Sequence, residues 1–182
     1  DGQVGGQAGG DVLDGIEALE GSTGHGDILK GDAGDNELDG NGNDGTTHDT
    51  LIGREGDDLY LYAIGDNTVV IQDNENATDM TFVGGEDAIY IQDAELSLSD
   101  LSFSRDGWNL EIQVGTNASD KLILNNWFMG QRHQVEAIEF ANGDVVSIAE
   151  QAGFSGFTGA DDVRTGTNLN GGSGNDTLGG TV

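Results

Sequence analysis

Cysteine and proline are both absent from the 182 residues. Without cysteine there are no disulfides, no thiolate metal sites and no thiol nucleophile. Without proline the chain is no proline-rich linker or stalk. Positive charge is scarce as well, with six Lys and Arg against 34 Asp and Glu, for a formal net charge of −28. So acidic a surface repels nucleic acid, anionic polysaccharide and anionic membranes unless a cation bridges them, so nucleic acid is excluded as an expected partner. Three dispersed histidines supply no tetrahedral zinc set. No apolar run approaches the about 18 residues of a spanning helix, and no signal peptide opens the chain, so no transmembrane segment is expected.

What the chain has in abundance is glycine, 32 residues of it. Together with the acidic excess this would ordinarily indicate disorder. Two features oppose that reading: the aliphatic residues are regularly placed, and the acids sit inside glycine turns rather than in runs. The composition fits a chain that folds poorly alone and becomes compact once cations neutralise it, so that metal binding is folding free energy.

From Gly21 to Val70, glycine-rich turns alternate with short apolar pieces. Asp27-Ile28-Leu29, Asn36-Glu37-Leu38, Asp49-Thr50-Leu51, Asp58-Leu59-Tyr60 and Asn67-Thr68-Val69 each place an oxygen acceptor two residues before an apolar side chain. The acceptors at 27, 36, 49, 58 and 67 are spaced 9, 13, 9 and 9 residues apart, the 13 being one period plus a four-residue insertion near Gly42-Asn43-Asp44-Gly45. The same unit stands without defect at Gly171-Gly172-Ser173-Gly174-Asn175-Asp176-Thr177-Leu178-Gly179. Self-similarity at a fixed period implies stacked repeats. Glycines turn the backbone tightly and leave carbonyls unobstructed, and the Asp adds a charged oxygen to them. Six to eight hard oxygens at about 2.3–2.6 Å is the coordination of calcium. After each turn, three residues form a strand with the apolar one facing a thin core.

This repeat resembles the calcium-binding β-roll of the RTX (repeats-in-toxin) family. The order Ser104-Arg105-Asp106-Gly107, Asn125-Asn126-Trp127-Phe128, then Val135 to Phe140 with Asn142-Gly143-Asp144 resembles a region found between β-roll blocks in RTX adhesins and toxins. The fold class expected is all-β: a parallel β-roll (β-solenoid) with Ca2+ in its glycine-rich turns, and a hairpin-rich capping or joining segment. The expected metal residues are Asp27, Asn36, Asp49, Asp58 and Asn67, with the carbonyls of Gly24, Gly31, Gly34, Gly53 and Gly56. A second block adds Asp161, Gly172, Gly174 and Asp176, while Asp11, Asp73 and Asp87 are secondary candidates. In a β-roll each ion lies between repeats two apart, which pairs Asp27 with Asp49, Asn36 with Asp58 and Asp49 with Asn67. Sharing of this kind gives roughly five to eight ions.

Three segments follow: a first roll block over 1–70, a capping or joining segment over 71–152, and the start of a second block over 153–182. Ile16 to Glu20 interrupts the first block and reads as a loop or one helical turn on the rim. Asp106-Gly107 and Asn142-Gly143 mark hairpins. Asn126 to Met129 reads as a short helix or aromatic plug, and Ser147 as the cap of a helical turn.

No catalytic residue is expected, and the chain is not read as an enzyme. Ser155 in Gly153-Phe154-Ser155-Gly156 misses the nucleophile-elbow spacing by one residue, and no H-E-x-x-H occurs. Tyr60, Tyr62, Tyr90, Trp108 and Trp127 could stack on a sugar, but filling a thin core is the preferred reading, with Trp108 the more exposed tryptophan because it follows a turn. The resemblance implies a piece of a large secreted protein, extracellular or on the bacterial surface, near the C-terminal end of an adhesin or toxin. It further implies type I secretion machinery as a partner, disorder at low calcium and folding outside the cell. Two alternatives remain open. One is a calcium-dependent carbohydrate- or protein-binding adhesin module with a cell-surface ligand. The other is an accessory domain of an extracellular lipase, protease or alginate epimerase.

Overall fold

The computed structural model describes residues 3–4, 15, 17–75, 81–82, 84–151, 163–165 and 177–179. Short strands dominate. The first eight are β1 (Gln3–Val4), β2 (Ala18–Glu20), β3 (Ile28–Lys30), β4 (Glu37–Asp39), β5 (Asp49–Ile52), β6 (Leu59–Tyr62), β7 (Thr68–Ile71) and β8 (Ala88–Ile91). They are followed by β9 (Leu101–Asp106), β10 (Asn109–Val114), β11 (Lys121–Leu124), β12 (Ala137–Phe140), β13 (Val145–Ser147), β14 (Val163–Thr165) and β15 (Thr177–Gly179). A four-residue helix, α1 (Ile148–Gln151), directly follows Ser147.

From β2 to β8, consecutive strands alternate between two sheets. One sheet runs β1-β2-β4-β6-β8-β12-β13, the other β3-β5-β7-β11-β10-β9. Strands two apart pair in parallel, so equivalent positions of successive repeats fall into register. Leu19, Leu38, Tyr60, Ile89 and Ile138 form one such row, and Leu51, Ile71 and Leu124 another. These are the apolar positions of the repeat, and all are buried. Each contributes roughly 1.5–3 kcal/mol of burial, against the backbone ordering of a very short strand. Parallel pairing gives way to antiparallel at one end of each sheet: β9, β10 and β11 are antiparallel in one, and β12 and β13 in the other. β14 and β15 pair in parallel as a sheet of their own.

Asp106-Gly107 and Asn142-Gly143 form the two hairpins expected of them, with Gly107 at φ 61° and Gly143 at φ 93°. Residues 16–20 depart from expectation: Ala18–Glu20 is strand β2, not a rim loop or helical turn. Leu19 supplies the cause, because it completes the row beginning at Leu38 and is buried there. Trp127–Met129 is a 3-10 turn. Trp127 is 1% exposed, meets Phe128 edge-on at 5.0 Å, and donates its indole N–H to the Val135 carbonyl at 3.1 Å. Tyr60 and Tyr62 are fully buried, so the core takes these aromatics, whereas Trp108 at the β9–β10 turn is 49% exposed.

Candidate metal centre

Turns that lead from the second sheet into the first line up along one ridge: residues 31–36 before β4, 53–58 before β6, and the described residues 72–75 and 84–87 before β8. The closeness of these turns requires glycine at two places. A Cβ on Gly53 would overlap Asp58 Oδ2 and the Tyr60 hydroxyl, and Gly56, at φ 113°, presses against the Gly34 carbonyl. Both were among the expected ligand-turn residues, and neither position has room for a side chain.

Carboxylates stitch this ridge together. The Asn36 N–H donates to Asp58 Oδ1 at 2.8 Å, the Asp58 N–H to Asp87 Oδ1 at 2.8 Å, and the Asp87 N–H to Glu136 Oε2 at 2.9 Å. On the opposite ridge the Asp27 N–H likewise donates to Asp49 Oδ1 at 2.8 Å. The expected pairs Asp27–Asp49 and Asn36–Asp58 are therefore in contact. The third is not: Asp49 stands opposite Val69, two residues beyond Asn67. β6 extends to Tyr62, which leaves Asn67 inside the turn at φ 61°. There its side-chain amide donates to the Asn43 carbonyl at 2.8 Å.

The stitching uses one oxygen each of Asp58 and Asp87. Asp58, Asp73 and Asp87 are 2%, 2% and 1% exposed, and each offers a ligand oxygen within 4.8 Å of the other two. Oδ2 of all three is buried with no hydrogen-bond partner. Burial, and then neighbouring carboxylates, push all three carboxyls up, Asp58 to about 7. Glu136 is also pushed to about 7, by burial first. The Tyr60 hydroxyl lies 3.5 Å from Asp73 Oδ1 and accepts the Gly53 N–H at 3.2 Å. Buried, unpartnered carboxylates are costly, and a hard cation is the natural partner for three of them. The spacing suits one: oxygens on opposite sides of a calcium ion lie about 4.6–5.2 Å apart. All donors are oxygens, so zinc is disfavoured.

Among the other expected residues, oxygens of Asp27, Asp49, Asn36 and Gly31 accept protein donors, whereas Gly24 and Gly34 are held through their N–H groups. Asp27 Oδ2 accepts the Ser22 N–H at 2.6 Å and hydroxyl at 2.8 Å. Asp49 is fully buried, with Oδ2 held by the Asn43 amide at 3.2 Å. Asn36 Oδ1 accepts the Asp32 N–H at 2.8 Å, and Gly34 N–H donates to Asp32 Oδ1 at 2.8 Å. Gly31 O accepts from Arg54 at 3.0 Å. Gly24, at φ 82°, donates its N–H to Gly42 O at 2.8 Å. Asp161, Gly172, Gly174 and Asp176 lie outside the described residues, as does Asp11. Among the described members of the expected main set, Asp58 alone belongs to the cluster; Asp73 and Asp87 were secondary candidates, and Glu136, which accepts the Asp87 N–H, was not anticipated. A clue to Glu136 was its place just before an alternating strand, as for Asp58 and Asp87.

Residues 109–150 match the family model of the haemolysin-type calcium binding protein related domain. The match spans β10 to most of α1 and includes Glu136, and it supports an RTX-like calcium-binding family for that stretch. No curated protein matches the chain. Among the described residues no helix is long and apolar enough to cross a membrane.

Proposed function

We propose that this chain is a calcium-binding RTX β-roll of a large secreted protein, whose calcium-driven folding serves type I secretion and extracellular folding. The observation that carries the reading is the buried trio Asp58, Asp73 and Asp87, whose carboxylates each bring an oxygen within 4.8 Å of the others and each keep Oδ2 without a hydrogen-bond partner. Alternation of strands between two sheets, with parallel pairing two strands apart, supports the roll. The family match over 109–150 supports calcium as the ion.

The chain works as a switch set by charge. At low calcium, repulsion within a chain of charge −28 opposes compaction. At millimolar calcium outside a cell, ions neutralise the ridge and hold successive coils together, so binding and folding are one process. Asp58, Asp73 and Asp87 supply carboxylate oxygens, Glu136 fixes Asp87 from the next coil, and Tyr60 fills the space behind Asp73. Residues 1–70 form the first roll block, 71–152 the segment that caps or joins it, and 153–182 the start of a second block. Catalysis is assigned to none of its residues. An adhesin site for sugar is less favoured, because burial of Tyr60, Tyr62 and Trp127 leaves no cluster of exposed aromatics among those candidates.

Far-ultraviolet circular dichroism tests the reading. The chain freed of metal is titrated with calcium, with magnesium as control. A steep coil-to-β transition specific to calcium is expected. A β spectrum unchanged by metal removal would mean that the core stands alone and the folding-switch reading fails.

A further inference from the structure

The ridge that carries Asp58 has another level one coil earlier, between residues 31–36 and 53–58, and its chemistry is inverted. The acceptor of its lower turn is Asn36, a neutral amide, where the repeat calls for Asp. In the complete unit Gly171-Gly172 opens the turn; here the corresponding pair is Gly53-Arg54. Arg54 sits at φ 84°, a left-handed conformation that glycine adopts freely and side chains with a Cβ resist.

Its contacts account for an arginine in so unfavourable a place. The main-chain N–H of Arg54 donates to Asp73 O at 3.2 Å. Its side chain turns back along the ridge, and Nη1 donates to the Gly31 carbonyl at 3.0 Å. That carbonyl is one of the oxygens expected to face a metal ion. Nη2 donates to Glu75 Oε1 at 3.1 Å, and Lys30 Nζ meets Glu75 Oε2 at 2.8 Å. Hydrogen bonds from Lys30 and then Arg54 hold the Glu75 carboxyl below its usual range. Lys30 and Arg54 are two of only six Lys and Arg in the chain, and both meet at Glu75, beside this level.

We infer that Arg54 is a built-in cation: its guanidinium takes the place of a metal ion between residues 31–36 and 53–58, so this level binds none. At the next level no cationic side chain bonds the buried Oδ2 atoms of Asp58, Asp73 and Asp87, and that level needs the ion. The inference rests on the calcium reading of that second level. A guanidinium suits the substitution because it stays charged at every physiological pH and offers a planar set of donors to carbonyl and carboxylate together.

Calcium ions bound per chain are counted for the full 182 residues by competition with a chromophoric chelator, beside the calcium midpoint of folding. Restoring the repeat with Asn36→Asp and Arg54→Gly together should add one ion to the count. An unchanged count in that folded variant overturns the inference. Arg54→Gly alone fits the backbone without strain and should fold at saturating calcium. Its midpoint should rise about fivefold, because an internal charge-assisted contact is lost. An unchanged or lower midpoint overturns the inference, and this variant decides the matter if the double substitution does not fold. Asp87→Asn separates the two readings. Loss of one ion supports calcium at the Asp58 level, and no loss refutes that reading without affecting an ion gained by the double variant.

Discussion

The main-chain N–H of Asp58 donates to Oδ1 of Asp87, 2.8 Å away and 29 residues further on, while Oδ2 of each carboxylate is buried with no partner. One oxygen of Asp87 joins two coils and the other is left for a cation. A structural role and the proposed ligand role therefore fall on the same side chain.

Asp87→Ala should raise the calcium midpoint of folding by at least about tenfold, in the range seen when groups that hold metal ligands are removed. Asp106→Ala, in the exposed β9–β10 turn, should leave it nearly unchanged. Equal midpoints in a titration followed by circular dichroism would remove the Asp58–Asp73–Asp87 group from the switch.

Acid should partly replace calcium. Burial pushes Asp58 and Glu136 up to about 7, against unfolded values near 4. Their contribution to the metal-free fold is fully present below the unfolded value and is lost as pH rises from about 4 through 7. Metal-free chain should therefore show more β structure at pH 5 than at pH 8, and calcium should bind more weakly at pH 6 than at pH 8. Asp58→Asn should flatten both trends. If that variant keeps the full pH dependence, general charge repulsion is the cause instead.

Leu38→Asp should prevent the first coils from packing even at saturating calcium. Leu38 is fully buried between Leu19 and Tyr60 in the row of repeat positions, and a charge there has no partner. Protease resistance equal to that of the unsubstituted chain would show that this row is not the core.

The two tryptophans should separate cleanly. Trp127→Ala should cost roughly 3–5 kcal/mol in urea unfolding with calcium present, because the ring is buried and its N–H is satisfied. Trp108→Ala should change stability by only about 0.5 kcal/mol. Comparable losses would place Trp108 in the core rather than at the surface.

Much of this arrangement was legible in the spacing of residues. The apolar position two after each acceptor identified Leu38, Leu51 and Tyr60 as inward, and Asp-Gly and Asn-Gly located both hairpins. The cluster was harder to read. Asp73 and Asp87 are 14 residues apart in sequence, and they converge because β7 and β8 lie in different sheets and the chain crosses the ridge between them. No nine-residue frame reaches that far. Asn67 failed for a related reason: a longer β6 shifted the turn by two residues, and an acceptor at the right interval landed at the wrong height. Leu19 was missed because a strand of three residues carries too little pattern to stand out from a loop.

The antiparallel ends of both sheets have a consequence for growth. A stack of parallel strands can always accept one more coil, since its last strand offers the same edge that its predecessors used. Here β10 and β9 reverse direction beyond β11, and β13 reverses beyond β12. A further coil of the repeat's orientation arriving at that side meets an antiparallel edge instead of the parallel one used by its predecessors. One side of each sheet thus ends on a parallel edge and the other on an antiparallel one. Addition of a like coil by the repeat's own parallel pairing is therefore open on one side and would need a change of pairing on the other.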